Sequence, residues 1–157
     1  MGTPVDIHVV LVEPEIPHNT GAIGRLCVGL SARLHLIEPL GFRLSDAHLR
    51  RCGLDYWQHL DLAVHRSWQA FTESEHPAQI HLFSTVGSRT LYDCRFEAGA
   101  ALVFGGETRG LPGPLYDAHA DRLVRIPMPG PHARSINLAN AVAIAAYEAY
   151  RQIAGSR

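Results

Sequence analysis

Apolar residues recur along this chain in short blocks rich in β-branched side chains, separated by stretches with helical spacing. Ile7 to Val12 is the first such block, and its composition suits a strand buried on both faces of a parallel sheet. Leu34 to Ile37, Ala63 to His65, Ile80 to Phe83 and Ala101 to Phe104 repeat the signal, and Leu123, Val124 and Ile126 give a last, shorter one. Between them, Ile23, Leu26, Cys27 and Leu30 fall on one helical face, and Ser67 to Glu75 reads as another helix. Ser45 is placed to cap a short helix carrying Leu49, Arg50 and Arg51. Strands alternating with helices predict an α/β fold with a mainly parallel sheet flanked by helices. At 157 residues, with no linker, repeat or low-complexity tract, residues 1–157 are expected to form a single domain.

Three segments break the pattern. Glu13-Pro14-Glu15-Ile16-Pro17-His18 follows the first strand, and its two prolines are expected to stop both strand and helix, leaving Asn19 to cap the helix beyond. Gly105-Gly106-Glu107-Thr108-Arg109-Gly110 lies at the expected carboxyl end of a strand, where open α/β sheets bind ligands and where glycines let backbone approach closely. Pro127, Pro129 and Pro131 stiffen the loop before the last helix, where Ser135, Asn137 and Asn140 gather, with Ser135 or Asn137 as the ordinary N-cap. Each motif alone reads equally well as a turn or cap.

Composition narrows the chemistry. Cys27, Cys52 and Cys94 are odd in number and scattered, which fits a reduced, cytoplasmic setting rather than a disulfide framework. The ten histidines show no zinc-type spacing, so no metal is expected, and no stretch approaches the roughly 20 apolar residues of a membrane span. A net charge of −1 argues against a strongly basic nucleic-acid binder and leaves RNA affinity to local patches. All 14 basic residues are arginine, which suits bidentate phosphate contacts. Arg43, Arg50 and Arg51 form the clearest cluster, readable as a solvated face or as an RNA contact. Tyr56, Trp57 and Trp68 are readable as core or as base-stacking platforms.

Taken together, Asn19-Thr20-Gly21-Ala22-Ile23-Gly24-Arg25, Val103 to Pro112 and Arg125 to Tyr147 closely resemble the three loops of the SpoU branch of the SPOUT RNA methyltransferases. The likeness extends to Glu13 to Pro17 and to Gly53-Leu54-Asp55-Tyr56, and is greatest to the small bacterial enzymes that methylate the ribose 2′-hydroxyl of the tRNA wobble nucleotide. The resemblance implies a C-terminal deep trefoil knot, which hydropathy patterns alone would argue against because threaded chains are rare. It implies S-adenosylmethionine as cofactor, contacted by Gly105, Ile126 and Ser135 with Phe83 lining the pocket. It places Asn19 and Arg25 near the target ribose, with Glu107, Ser135 and Asn140 orienting the reacting groups. The substrate it implies is tRNA, at a wobble cytidine or modified uridine and in leucine isoacceptors.

Three alternatives remain beside this one. One is 2′-O-methylation elsewhere in tRNA or rRNA, and another is a non-catalytic RNA-binding module. The third is a dinucleotide site built on Gly21-x-x-Gly24 and Glu38, although the first glycine of that fingerprint is missing. The last helix adds a feature of its own. Ile136, Ala139, Val142, Ala143, Ala146, Tyr150 and Ile153 form one apolar face, and Ala141, Ile144 and Ala145 continue it around. A terminal helix apolar all round predicts a homodimer through that helix.

Overall fold

The computed structural model describes residues 4–45, 47, 49, 51 and 55–155. Its centre is a seven-stranded sheet in the order β3-β2-β1-β6-β4-β7-β5, with β1 Ile7–Val12, β2 Arg33–Ile37, β3 Leu62–His65, β4 Gln79–Phe83, β5 Arg89–Thr90, β6 Ala100–Phe104 and β7 Val124–Arg125. Every strand pairing among the described residues is parallel. Central β1 and β6 pair in register from Ile7 with Ala100 to Leu11 with Phe104, and both are buried on two faces, as runs apolar but for His8 require.

Helices on both faces cover the sheet, among them α1 Pro17–Leu30, α2 Trp68–Glu75, α3 Gly113–Ala118 and α4 Leu138–Gly155. One face of the sheet packs Val9, Leu11, Leu34, Leu36, Leu102 and Phe104 against Ile23, Cys27 and Leu30 of α1 and Val142, Ala145, Ala146 and Ala149 of α4. The other packs Val10, Val12, Ile37, Ala101 and Val103 against Phe71 of α2 and Leu115 of α3. Ser67 caps α2, accepting from the Ala70 amide.

Two expectations are corrected. Pro17 begins α1 rather than stopping it, because proline at the first helical position gives up an amide that has no intrahelical partner. Asn19 is therefore inside the first turn and does not cap it. In α4 the buried stripe is Val142, Ala145, Ala146, Ala149 and Ile153, a set that includes Ala149 and excludes half-buried Ala143; Ile136 precedes the helix. Ile144 and Tyr147 point outward, 39% and 52% exposed in the single chain, so its own domain leaves this side of α4 uncovered. Arg50, Cys52, Gly53 and Leu54 lie outside the described residues.

A histidine string crosses three strands. Nδ1 of half-buried His8 lies 2.8 Å from Nε2 of buried His35, whose Nδ1 lies 2.9 Å from Nε2 of buried His65, and Nε2 of His8 lies 3.2 Å from the Asp6 carboxylate. Glu75 approaches His8 and His35, but its carboxylate is engaged by Arg33 at 2.8 Å.

Candidate active site

The carboxyl ends of β4, β6 and β7 open into a cleft of about 620 Å³, a size typical of small-molecule sites. Phe83 and Phe104, the last residues of paired strands, stack at 4.7 Å and an 8° interplanar angle to form an apolar floor. Three walls rise from it: Gly105 to Leu111 after β6, Ile126 and Met128 after β7, and Ser135 to Leu138 at the entry to α4. Asn19 of α1 also lines the cleft.

The glycine loop folds back on itself. A Cβ on Gly105 would meet the Gly110 carbonyl carbon at 2.0 Å and the Leu111 nitrogen at 2.2 Å, and Gly106 and Gly110 exchange two backbone hydrogen bonds. Gly110 holds a φ of +68°, which glycine adopts without penalty. The primary demand on Gly105 is therefore the chain's own backbone, rather than the approach of a ligand suggested by sequence alone.

This loop is bolted to the one after β1. Glu107 accepts from the amides of Glu15 at 3.0 Å and Ile16 at 2.7 Å, supplying the acceptor that α1 lacks at its uncapped entry. Glu15 returns the contact, accepting from the Thr108 amide at 2.7 Å and the Thr108 hydroxyl at 2.6 Å. Burial pushes the Glu107 carboxyl above its ordinary range, with the Ile16 and Glu15 amides pulling the other way. The Thr108 hydroxyl and amide hold Glu15 below its ordinary range. Glu107 is thus a tie between loops, its lone pairs committed to amides.

Asn137 caps α4, its Oδ1 accepting from the Asn140 amide at 3.2 Å. That bond turns its Nδ2 toward Asn19, whose Oδ1 accepts at 3.0 Å. The Asn19 amide nitrogen is then left to donate elsewhere. Of the residues singled out from sequence, Asn19, Phe83, Gly105, Glu107, Ile126 and Ser135 line one cleft. Asn140 does not; its backbone serves the cap. Arg25 does not either: it is exposed on α1, its guanidinium 4.7 Å above the Tyr56 ring. Trp57 packs against Gly24, where a Cβ would sit 2.9 Å from the indole, and Trp68 packs on Phe71. Gly21 and Gly24 are thus buried in a helix, unlike a dinucleotide-binding turn.

The sequence reading passed over Glu15, Thr85 and Met128 and took Asn137 only as a cap. An N-cap signal marked Asn137, but nothing local relates Glu15 to Thr108, which lies 93 positions away.

A parallel α/β sheet with a cleft walled by three loops at its carboxyl edge defines a class that the comparisons specify. The model of the SpoU rRNA Methylase family matches residues 6–147, and the chain belongs to that family. A Burkholderia pseudomallei protein named tRNA (cytidine(34)-2′-O)-methyltransferase is 53% identical over 148 residues, covering 92% of this chain and 94% of that one. A solved structure described as giving insight into 2-OH methylation of C/U34 on tRNA superposes with a TM-score of 0.91 at 49% identity, covering 98% of this chain and 99% of the other. AviRb, a SpoU methyltransferase of Streptomyces viridochromogenes solved in complex with AdoMet, gives a TM-score of 0.79 at 26% identity, covering 96% of this chain and 62% of its own.

Proposed function

We propose that this chain methylates the ribose 2′-hydroxyl of the wobble nucleotide, cytidine or modified uridine, in tRNA, with S-adenosylmethionine as donor. Leucine isoacceptors are the expected substrates and the cytoplasm the expected setting. The observation that carries this reading is the cleft at the carboxyl ends of β4, β6 and β7. It occurs in a chain matched over nearly its whole length by proteins named for that reaction.

The cleft suits the cofactor. Its volume and stacked phenylalanine floor accommodate a purine nucleoside, and its glycine loop offers backbone groups. Gly105, Ile126 and Ser135 would hold the cofactor beside Phe83. When bound, S-adenosylmethionine supplies an electrophilic methyl group on sulfonium sulfur. The rest falls to the protein. Asn19 lines the cleft with its Oδ1 held by Asn137, and its remaining amide donors would orient the acceptor ribose. Transfer would join the ribose oxygen to the methyl carbon, leave the sulfur as a neutral thioether and pass the hydroxyl proton to solvent. Arg25 would serve as a charge for the developing alkoxide and a phosphate clamp, since a guanidinium offers donors and no acceptor. Alignment supplies much of the rate.

Arg25 lies off the lining of its own chain's cleft, which supports a composite site in a homodimer. Its helix partner α4 keeps Ile144 and Tyr147 exposed, an apolar surface suited to a second copy. We read residues 1–157 as one catalytic domain whose C-terminal part forms a trefoil knot, a reading supported by membership of the SpoU family.

Incubation of purified protein with labelled S-adenosylmethionine and unmodified tRNA, followed by nucleotide mapping, tests the reading. Label at the wobble ribose supports it. Label at another tRNA or rRNA position favours the second substrate class, and no transfer with retained RNA binding favours a binding module.

A further inference from the structure

We propose that Glu15 is a positioning residue for methyl transfer, registering the cleft wall formed by Thr108 and Arg109 against the first turn of α1, which carries Asn19. The proposal rests on the functional reading above.

The geometry begins one residue after β1. Glu13 takes a φ of +53°, an uncommon conformation for a residue with a side chain, and turns the chain across the end of β6. Glu15 is then held from behind. Gly41 donates its amide to the Pro14 carbonyl at 2.9 Å, and a Cβ on Gly41 would lie 2.8 Å from both the Cα and the carbonyl oxygen of Glu15. With its backbone unable to retreat, the Glu15 carboxylate faces the turn after β6. There Oε2 accepts from the amides of Thr108 at 2.7 Å and Arg109 at 3.4 Å. Oε1 accepts from the Thr108 hydroxyl at 2.6 Å, with Nε of Arg109 at 4.0 Å.

These partners make the contact more than a surface tie. Thr108 and Arg109 line the cleft, and so do Ile16 and Asn19 on the opposite side of the clasp. Glu107 closes the circuit through the amides of Glu15 and Ile16. Two adjacent residues on each loop thus exchange carboxylates for amides, joining the cofactor-side wall to the helix that presents the ribose-side asparagine. In-line transfer is sensitive to that separation, and a small misplacement lowers turnover more than binding. The Thr108 and Arg109 amides and the Arg109 guanidinium can only donate, and a carboxylate meets all of them as a charged acceptor. Glutamine keeps the length but loses the charge, and its NH₂ can meet only the Thr108 hydroxyl, by reversing that bond.

The test compares wild type with Glu15→Gln and Glu15→Ala in three measurements. These are amide hydrogen exchange at Thr108 and Arg109 in ligand-free protein, S-adenosylmethionine affinity by calorimetry, and kcat and KM for tRNA. Both variants should exchange those two amides at least about tenfold faster and lose about 10- to 100-fold in kcat, the scale of a charged hydrogen-bond set. KM for tRNA should move less than about threefold, a split that general loss of structure would not produce. If Glu15→Ala does not fold, the isosteric Glu15→Gln carries the comparison. Unchanged exchange, or kcat and KM worsening in equal measure, overturns the proposal. Wild-type transfer alongside undiminished turnover by Glu15→Gln removes the positioning role alone, whereas a wild-type protein that transfers no methyl to tRNA removes the functional reading and this role together.

Discussion

The side-chain amide of Asn137 donates to Oδ1 of Asn19 at 3.0 Å, joining the first turn of α1 to the cap of α4 across 118 positions of sequence. One residue thereby terminates a helix and orients a cleft side chain. Asn137→Ala should lose about 1 kcal/mol of stability through the missing cap. Turnover should fall further than that, since Asn19 is freed to rotate. Chemical denaturation and initial rates measured on the same preparation check the two effects separately.

Arg25→Ala should abolish methyl transfer while S-adenosylmethionine affinity stays within about twofold, because Arg25 lies off the cleft lining. Calorimetry beside a transfer assay decides it, and loss of cofactor binding would contradict the assignment. In a two-fold dimer, random co-assembly of Arg25→Ala with Gly105→Leu chains should restore roughly a quarter of all sites if the residues act in trans. Proven heterodimers without recovered activity would place each site within one chain.

Gly105→Ala should itself impair cofactor binding. Its Cβ cannot be placed without moving Gly110 and Leu111, and the turn that lines the cleft moves with them. The melting temperature should drop together with affinity, and scanning calorimetry with and without cofactor reads both.

Acid should weaken the fold through the histidine string. Burial above all, then His8, His65 and the Arg33 charge, depress the pKa of His35 from its ordinary 6.5 to about 3. His35 is thus neutral in the folded chain but takes up a proton on unfolding below about pH 6.5. Its contribution is complete above that pH and is lost as the pH falls toward 3. Denaturant titrations should show stability at pH 4 lower than at pH 7.5 by on the order of 3 kcal/mol from this group. His35→Asn should flatten that dependence.

The sheet was legible because β1, β2, β4 and β6 are strands buried by helices, and burial leaves an apolar signature in consecutive residues. Two-residue β7 showed only as the short run Leu123, Val124 and Ile126, and β5, Arg89–Thr90, left none, since a strand that short is defined by its neighbours. Helix α3, Gly-Pro-Leu-Tyr-Asp-Ala, escaped notice for lack of a repeating apolar face. Three loops were read correctly as neighbours only through likeness to a family. What could not be read was who holds whom. The Glu15 amide donates to Glu107 across 92 positions and its carboxylate accepts from Thr108 across 93, and periodicity carries no information at that range. The two sides of α4 were harder to tell apart, because alanine marks helix propensity as well as burial.

The wobble position is the central claim, and tRNA from cells lacking this gene tests it most directly. Ribose 2′-O-methylation should be absent at the wobble nucleotide of the leucine isoacceptors and intact at other sites, and it should return with the wild-type gene but not with Arg25→Ala. Unaltered wobble methylation in the deletion strain, or a loss confined to another tRNA or rRNA nucleotide, would contradict the account.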